Sequence, residues 1–154
     1  MTSASPSPSP SPAFIDPRGP RFGAVITTVV LAITLITGSG WLLAVQTLVF
    51  ALGAVSGLKY APYGYVYRAL VRPRLSKPTE LEHPAPPTFA QAVGFFFALV
   101  GAIGYLTGVT ALGVVFTAFA LAAAFLNAAF DYCLGCEVYL LLRRGTPRRQ
   151  PIGS

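Results

Sequence analysis

The chain has 154 residues, of which 54% belong to the apolar set Ala, Val, Ile, Leu, Met, Phe, Trp, Tyr and Cys and only 10% are charged, whereas globular domains usually carry roughly 25%. Its net charge is +6, yet no charged residue lies from Phe22 to Leu58 or from Pro84 to Phe130, stretches of 37 and 47 residues. This distribution excludes an ordinary water-soluble enzyme, a disordered regulator and a nucleic-acid-binding domain. Two cysteines are too few for a secreted miniprotein held by disulfides. We therefore predict an all-α integral membrane protein.

Residues 1–15 form a tail in which Ser and Pro alternate, as in SPSPSPSP from Ser5. Proline lacks the amide that a helix needs, and the tail has no apolar face to offset the entropy lost on ordering. We predict a disordered arm of extended, polyproline-like character. A docking or phosphorylation role is the alternative to an inert arm.

Glycines divide the two uncharged stretches, each of which is too long for a single helix across a bilayer core of about 20 residues. Gly38-Ser39-Gly40 predicts a turn in the first stretch, and Thr107-Gly108 predicts one in the second. Before the second stretch, Thr88-Phe89-Ala90-Gln91 fits a capping box, in which the Thr88 hydroxyl accepts from the amide of Gln91.

These boundaries predict four transmembrane helices, arranged as two antiparallel hairpins within a membrane domain of residues 16–145. The spans are expected at about 22–38, 41–58, 89–106 and 110–131. Residues 146–154 are a basic C-terminal tail. Gln46 lies inside the second span and needs a hydrogen-bond partner within the bundle.

Basic residues predict the orientation, because loops rich in Lys and Arg stay on the cytoplasmic side. With four spans, all eleven Lys and Arg residues fall on one side, and the two opposite turns carry none. Both termini are therefore expected in the cytoplasm, in a multi-pass protein of the cell membrane.

The central loop predicts a short interfacial helix from Pro62 to Val71. Tyrosine rings suit headgroup depth and arginine stems can snorkel there, so the loop is typical of a lipid anchor. The alternative is a docking surface for anionic lipid or for a protein partner. The residues in question are Arg68, Arg72 and Arg74, with Tyr60, Tyr63, Tyr65 and Tyr67.

The chemistry-bearing motif is a C-x-x-C, Cys133-Leu134-Gly135-Cys136, which is expected to close the last span. At positions i and i+3 the two sulfurs face the same way and can form a disulfide or bind one metal. Gly135 would permit the local unwinding that a relaxed disulfide needs. Asp131, Glu137 and the C-terminal end of the last span are expected to raise a thiol pKa, so a partner must supply activation or the two carboxylates serve as proton acceptors.

Metal binding and plain packing are the alternatives for these cysteines. Structural zinc is usually bound by four ligands, so a zinc site would need a homodimer in which each copy supplies Cys133 and Cys136. Copper(I) or a persulfide would need only two thiols. As small apolar residues the cysteines could also simply fill space at a helix end. The sequence leaves the identity of any cofactor open.

Several segments carry a resemblance to an uncharacterised bacterial family, domain of unknown function 4395, over most of residues 15–145. The segments are Ile15 to Phe22, Val71 to Arg74, Pro86 to Gln91 and Cys133 to Cys136 with Tyr139. Thr88 stands where the family pattern leads us to expect arginine. The resemblance implies a small integral membrane protein with its C-x-G-C at a helix end, and no established reaction.

Thiol or sulfur handling is the function favoured for this chain, and the resemblance implies a thioredoxin-like or sulfurtransferase partner, since genes for such proteins neighbour some family members. The bundle with one C-x-x-C also looks like the quinone-linked thiol oxidases, but it lacks their second cysteine pair, and its predicted topology puts the motif on the reducing side. The non-enzymatic alternative is a membrane scaffold that recruits partners through its basic loop. The sequence leaves open whether the protein is an enzyme.

Overall fold

A computed structural model of the chain describes residues 15–57, 61–77, 81 and 83–144, and this part is built from helices joined by short turns. The helices are α1 (Arg18–Thr37), α2 (Gly40–Val55), α3 (Pro62–Val66), α4 (Ala85–Thr107), α5 (Thr110–Phe130) and α6 (Leu134–Arg144). A π-helical turn at Tyr67–Val71 and a 3-10 turn at Arg72–Arg74 continue α3. The predicted tails lie outside the described residues, except for Ile15.

Three of these helices, α1, α4 and α5, are long and apolar enough to cross a membrane. Helix α2 is apolar but has only 16 residues, short of the roughly 20 that a bilayer core takes. The prediction of an all-helical, membrane-associated protein is confirmed at that level.

The two predicted turns are present, and each depends on a glycine. Gly38 (φ 65°) and Gly108 (φ 91°) both adopt the left-handed conformation that side chains disfavour. After Gly38, the Ser39 hydroxyl accepts a hydrogen bond of 3.1 Å from the Leu42 amide and thereby caps α2. Helix α5 matches its predicted bounds within one residue.

The starts of the other long helices differ from the prediction. Helix α1 begins at Arg18 rather than near residue 22, and α4 begins at Ala85 rather than near 89. The capping box is wrong: the Thr88 hydroxyl donates to the Pro84 carbonyl at 2.7 Å, one turn back inside the helix. Two prolines, Pro86 and Pro87, fit the first turn because amides there have no helical acceptor.

Helix α2 runs antiparallel to α4 along much of its length. Gly40 lies against Leu106, Phe50 against Gly94, and Gly53 against Gln91. Helix α1 packs most extensively on α5, and α4 packs on both α2 and α5. Contacts between the two hairpins therefore hold the bundle together as much as contacts within them.

The core contains large apolar side chains on α1 and α2 facing small residues on α4 and α5. Its buried members are Leu31, Leu43, Phe50, Ala98, Ala102 and Ala120. The α4–α5 contact is closer still: a Cβ added at Gly104 would lie 2.6 Å from the backbone nitrogen of Gly113. Small residues thus allow the two backbones to approach directly.

Gly104→Ala should reduce the free energy of unfolding by about 1–3 kcal/mol, because the added methyl group meets backbone that cannot rotate away. Gly23→Ala is the matched control, since its Cβ would make an ordinary 3.6 Å contact with Tyr63 Cβ. Unfolding by sodium dodecyl sulfate in mixed micelles, followed by circular dichroism, measures both. Equal stability of the two variants would contradict the close α4–α5 contact.

Candidate functional site

All six helices that the structure describes contribute to one end of the bundle, which we call the cysteine end. It comprises the first turns of α1 and α4, the last turns of α2 and α5, helix α6, and α3 with the two turns that continue it. We call this last part, residues 62–74, the α3 segment. The Arg21 side chain ties two of the helices together, since its Nε donates to the Ala128 carbonyl in the last turn of α5 at 3.1 Å.

The C-x-x-C does not close α5, contrary to the prediction. Asp131 adopts the left-handed conformation (φ 56°) and its amide donates to the Asn127 carbonyl at 3.1 Å, which ends α5 at Phe130. A further helix, α6, begins at Leu134. An aspartate is among the few non-glycine residues that tolerate this conformation. It starts a break of three residues, 131–133, between the two helices.

The cysteine pair spans the start of α6. The two Sγ atoms lie at disulfide-bonding distance, with 5.1 Å between the Cα atoms, and both residues are half-buried. The Cys136 amide donates to Cys133 Sγ at 3.2 Å. Cys133 therefore directly precedes a helix N-terminus, a position at which the backbone amides carry partial positive charge. The expected position of the motif at the C-terminal end of a helix is therefore wrong, whereas the expected effect on the thiols stays a prediction.

The two neighbouring carboxylates are exposed. Asp131 occupies the end of α5, and Glu137 lies in the first turn of α6, where its amide donates to the Cys133 carbonyl at 3.0 Å. Their role as proton acceptors stays a prediction.

Gly135 permits packing rather than the unwinding that the sequence suggested. A Cβ at this position would lie 2.6 Å from Ala90 Cβ and 2.7 Å from Ala90 Cα, so α6 rests directly on the backbone of α4. One turn further, the rings of Tyr139 and Phe89 pack with centroids 5.7 Å apart. Two segments identified separately in the sequence, the C-x-G-C with Tyr139 and the run from Pro86 to Gln91, therefore form one contact.

A buried carboxylate connects α1 to the α3 segment. The Arg18 side chain donates to both Asp16 oxygens, at 3.0 Å from Nε and 2.9 Å from the terminal nitrogen, and its amide adds a third bond of 3.0 Å. The Tyr67 hydroxyl donates to Asp16 Oδ2 at 2.7 Å. Burial alone would raise the pKa of Asp16, but these hydrogen bonds outweigh it and lower that pKa from 3.8 to about 2.

A second polar link joins the α3 segment to the middle of the bundle. Gln46 is 1% exposed, and its Oε1 accepts from the Tyr63 hydroxyl at 2.6 Å. Its amide nitrogen lies 3.5 Å from Thr27 Oγ1. Burial raises the pKa of Tyr63. The prediction that Gln46 needs a partner is confirmed, although that partner comes from the central loop.

The tyrosines of the central loop therefore do not all act as headgroup anchors. Tyr67 is 3% exposed and Tyr63 is half-buried, and both bond to groups in other elements. Tyr65 is exposed, with the Arg68 guanidinium 5.0 Å from its ring centroid. Tyr60 lies outside the described residues. Sequence periodicity could not identify these pairs, because each partner is 17 or more positions away.

The predicted site residues fall into two groups in space. Arg68, Arg72 and Arg74 belong to the α3 segment, which packs on α1 and α2, whereas the cysteines belong to α6 and its entry, which pack on α4 and α5. Within the described residues, no group of three or more His, Cys, Asp or Glu side chains could hold a metal ion. A four-coordinate zinc ion at the cysteine pair would thus need ligands from elsewhere, such as a second copy of the chain.

A family model described as domain of unknown function (DUF4395) matches residues 15–144. Comparison with curated proteins and with solved structures gave no match. The matched range includes Asp16, the Gly135–Ala90 contact and both cysteines.

Gly135→Ala should displace α6 from α4, because its methyl group would meet the Ala90 backbone. After reduction, we expect Cys133 and Cys136 to react with a maleimide about tenfold faster than in the unaltered protein, the factor that an overpacking cost near 1.4 kcal/mol would give. Gly19→Ala is the control, since its Cβ would make an ordinary 3.5 Å contact with Tyr67. Unchanged labelling in Gly135→Ala would show that the close approach does not hold α6.

Asp16→Asn should remove a pH-dependent part of the stability. The pKa of Asp16 is depressed in the folded protein, so its contribution is fully present above the ordinary value of 3.8 and is lost as the pH falls through about 2. The shift corresponds to about 2 kcal/mol. Micellar unfolding measured well above 3.8 and again near 2 should reveal a loss in the parent that is absent from Asp16→Asn. Asp131→Asn, at an exposed site, should behave as the parent does.

Proposed function

Because the chain belongs to the family described as domain of unknown function 4395, a description that assigns no reaction, we propose a function from its own residues. The protein is a membrane-embedded thiol–disulfide exchanger that works through Cys133 and Cys136 with a thioredoxin-like or sulfurtransferase partner. The observation that carries this proposal is the cysteine pair itself, held at disulfide-bonding distance and half-buried at the start of α6.

The exchange takes two steps. The Cys133 thiolate attacks one sulfur of the partner's disulfide, so a mixed disulfide forms and the partner's other sulfur leaves as a thiolate. Cys136, once deprotonated, then attacks Cys133 Sγ, which forms the internal disulfide and releases the second partner thiol. Two electrons pass to the partner, and a reduced partner with a more negative potential drives the same steps in reverse.

Cys133 is proposed as the attacking thiol because the amide of Cys136 points at its sulfur and the N-terminal turn of α6 stabilises its charge. Glu137 and Asp131 are proposed to accept protons from the second thiol. With a sulfurtransferase as partner, the same Cys133 thiolate would attack the outer sulfur of the partner's persulfide, take it over as a persulfide and return the partner's thiolate.

Four membrane spans are part of this proposal, with α2 as the fourth. Helix α2 starts at the level of Leu106 and ends past Gln91 of α4, a helix long enough to cross. The segment of α4 between those two residues is about 22 Å long, so α2 reaches most of the way through a core of about 30 Å. A modest local thinning of the bilayer accommodates such a mismatch.

We further propose that the cysteine end faces the cytoplasm. The eight described basic residues belong to elements that meet at this end, and the turns at 38–39 and 108–109 contain none. That asymmetry fits the positive-inside rule. The basic residues are Arg18, Arg21, Arg68, Arg72, Arg74, Lys77, Arg143 and Arg144.

The test compares the two single-serine variants. After full reduction, Cys136→Ser should react with an aromatic disulfide reagent at neutral pH at least about tenfold faster than Cys133→Ser, since only the former keeps the thiol favoured as thiolate. The parent should interconvert between dithiol and disulfide in glutathione buffers of graded potential, as read from mass shifts after alkylation.

Equal reactivity of the two variants would contradict the assignment of Cys133, and a parent that never forms a disulfide at any potential would contradict the exchange itself. A membrane-impermeant maleimide tests the orientation separately. Labelling of the reduced protein in inverted vesicles but not in intact cells is expected, and labelling from outside would reverse the topology.

A further inference from the structure

Helix α6 has an apolar face that is largely exposed in the structure. Leu134, Val138 and Leu141 recur at i, i+4 and i+7, so they share one side of the helix. They are 38%, 44% and 60% exposed. Gly135 and Tyr139, which contact α4, lie on the neighbouring side. The stripe of Leu134, Val138 and Leu141, here called the α6 stripe, therefore stays open while α6 is docked.

The charged residues of α6 lie off this stripe, and Leu140 and Leu142 are further exposed apolar residues of the helix. Glu137 lies in its first turn and Arg143 and Arg144 in its last. The helix is thus amphipathic, with basic residues at its C-terminal end. Amphipathic helices of this kind lie in the plane of a membrane surface, with the apolar side in the boundary between headgroups and acyl chains.

The position of α6 puts the α6 stripe at membrane depth. Its first turn packs on Ala90, which lies five residues after the start of α4, or about 7–8 Å along that helix. Helix α4 is apolar enough to cross a membrane, so α6 begins beside the spanning bundle and not beyond it in water. Exposed apolar side chains also lead into it along the chain, at Phe130 and Tyr132.

We propose that the α6 stripe is buried in the surface of the same bilayer that the bundle crosses, and that α6 is an interfacial helix. Its basic residues Arg143 and Arg144 then meet anionic phospholipid headgroups. This inference is independent of the reaction of the cysteines. It predicts that the cysteine pair sits at the membrane surface, so a protein that reacts with it must approach along the lipid headgroups.

A tryptophan placed on α6 tests the proposal directly. The only tryptophan of the chain, Trp41, begins α2 at the other end of the bundle and can be removed as Trp41→Phe. In that background, Leu141→Trp is compared with Leu140→Trp, which is also exposed but lies about 100° around the helix. Both proteins are reconstituted into vesicles of phosphatidylcholine and phosphatidylglycerol, with bromine near the headgroup end or near the methyl end of the acyl chains.

Leu141→Trp should emit at shorter wavelength than Leu140→Trp and lose at least about half of its emission to the lipid brominated near the headgroup, with less quenching from the deeper label. Emission at the wavelength of water-exposed tryptophan, without quenching, would overturn the proposal. So would equal quenching at both positions, because α6 would then present no single face. Blue-shifted emission that bromine does not quench would mean that a protein, such as a second copy of the chain, covers the stripe instead. Circular dichroism equal to that of the parent establishes that both variants are folded.

Discussion

Close approach between helix backbones holds this bundle together, because lipid tails are as apolar as the side chains and give them no reason to leave the bilayer. The α4–α5 pair meets backbone to backbone at Gly104 and Gly113, and α2 reaches α4 through Gly53 and Gly94. Gly135 allows the same kind of close approach between the short helix α6 and α4. The contact of Gly135 with Ala90, together with the Tyr139–Phe89 ring contact, holds the cysteine pair against α4.

The long helices could be predicted because residues within them and at their ends determine where they begin and end. Contacts between residues that are far apart in the sequence could not be predicted. Gly38 and Gly108 end helices through their own conformational freedom, which a sequence displays directly. The sequence allows two starts for α4: one near residue 89, capped by Thr88, and one at Ala85, with Pro86 and Pro87 in the first turn. Local sequence alone does not choose between them. Helix α6 was missed because the conformation of Asp131 leaves no periodic signal. The pair formed by Tyr67 and Asp16 is 51 positions apart and depends on the tertiary fold.

The sequence did not predict that Asp131 ends α5 and that a separate helix follows, and this difference affects the cysteine pair directly. Because a separate helix begins at Leu134, Cys133 lies at a helix N-terminus and not at a helix C-terminus, and the sign of the local dipole is the opposite of the expected one. The identity of both cysteines, their spacing and their neighbours Asp131 and Glu137 were all visible in the sequence. The local electrostatic field at Cys133 was not visible, because it depends on whether this residue belongs to the end of α5 or to the start of α6.

The pairing of α1 with α5 has a consequence for biosynthesis. About 90 residues separate the end of α1 from the end of the helix on which it mainly packs. At translation rates of roughly 5–20 residues per second, α1 waits about 5–20 seconds before that helix is complete. During this interval α2 also lacks α4, so the buried faces of both early helices are open to lipid or to an insertion factor. Assembly of the bundle is therefore largely post-insertional, with the last long helix closing the structure.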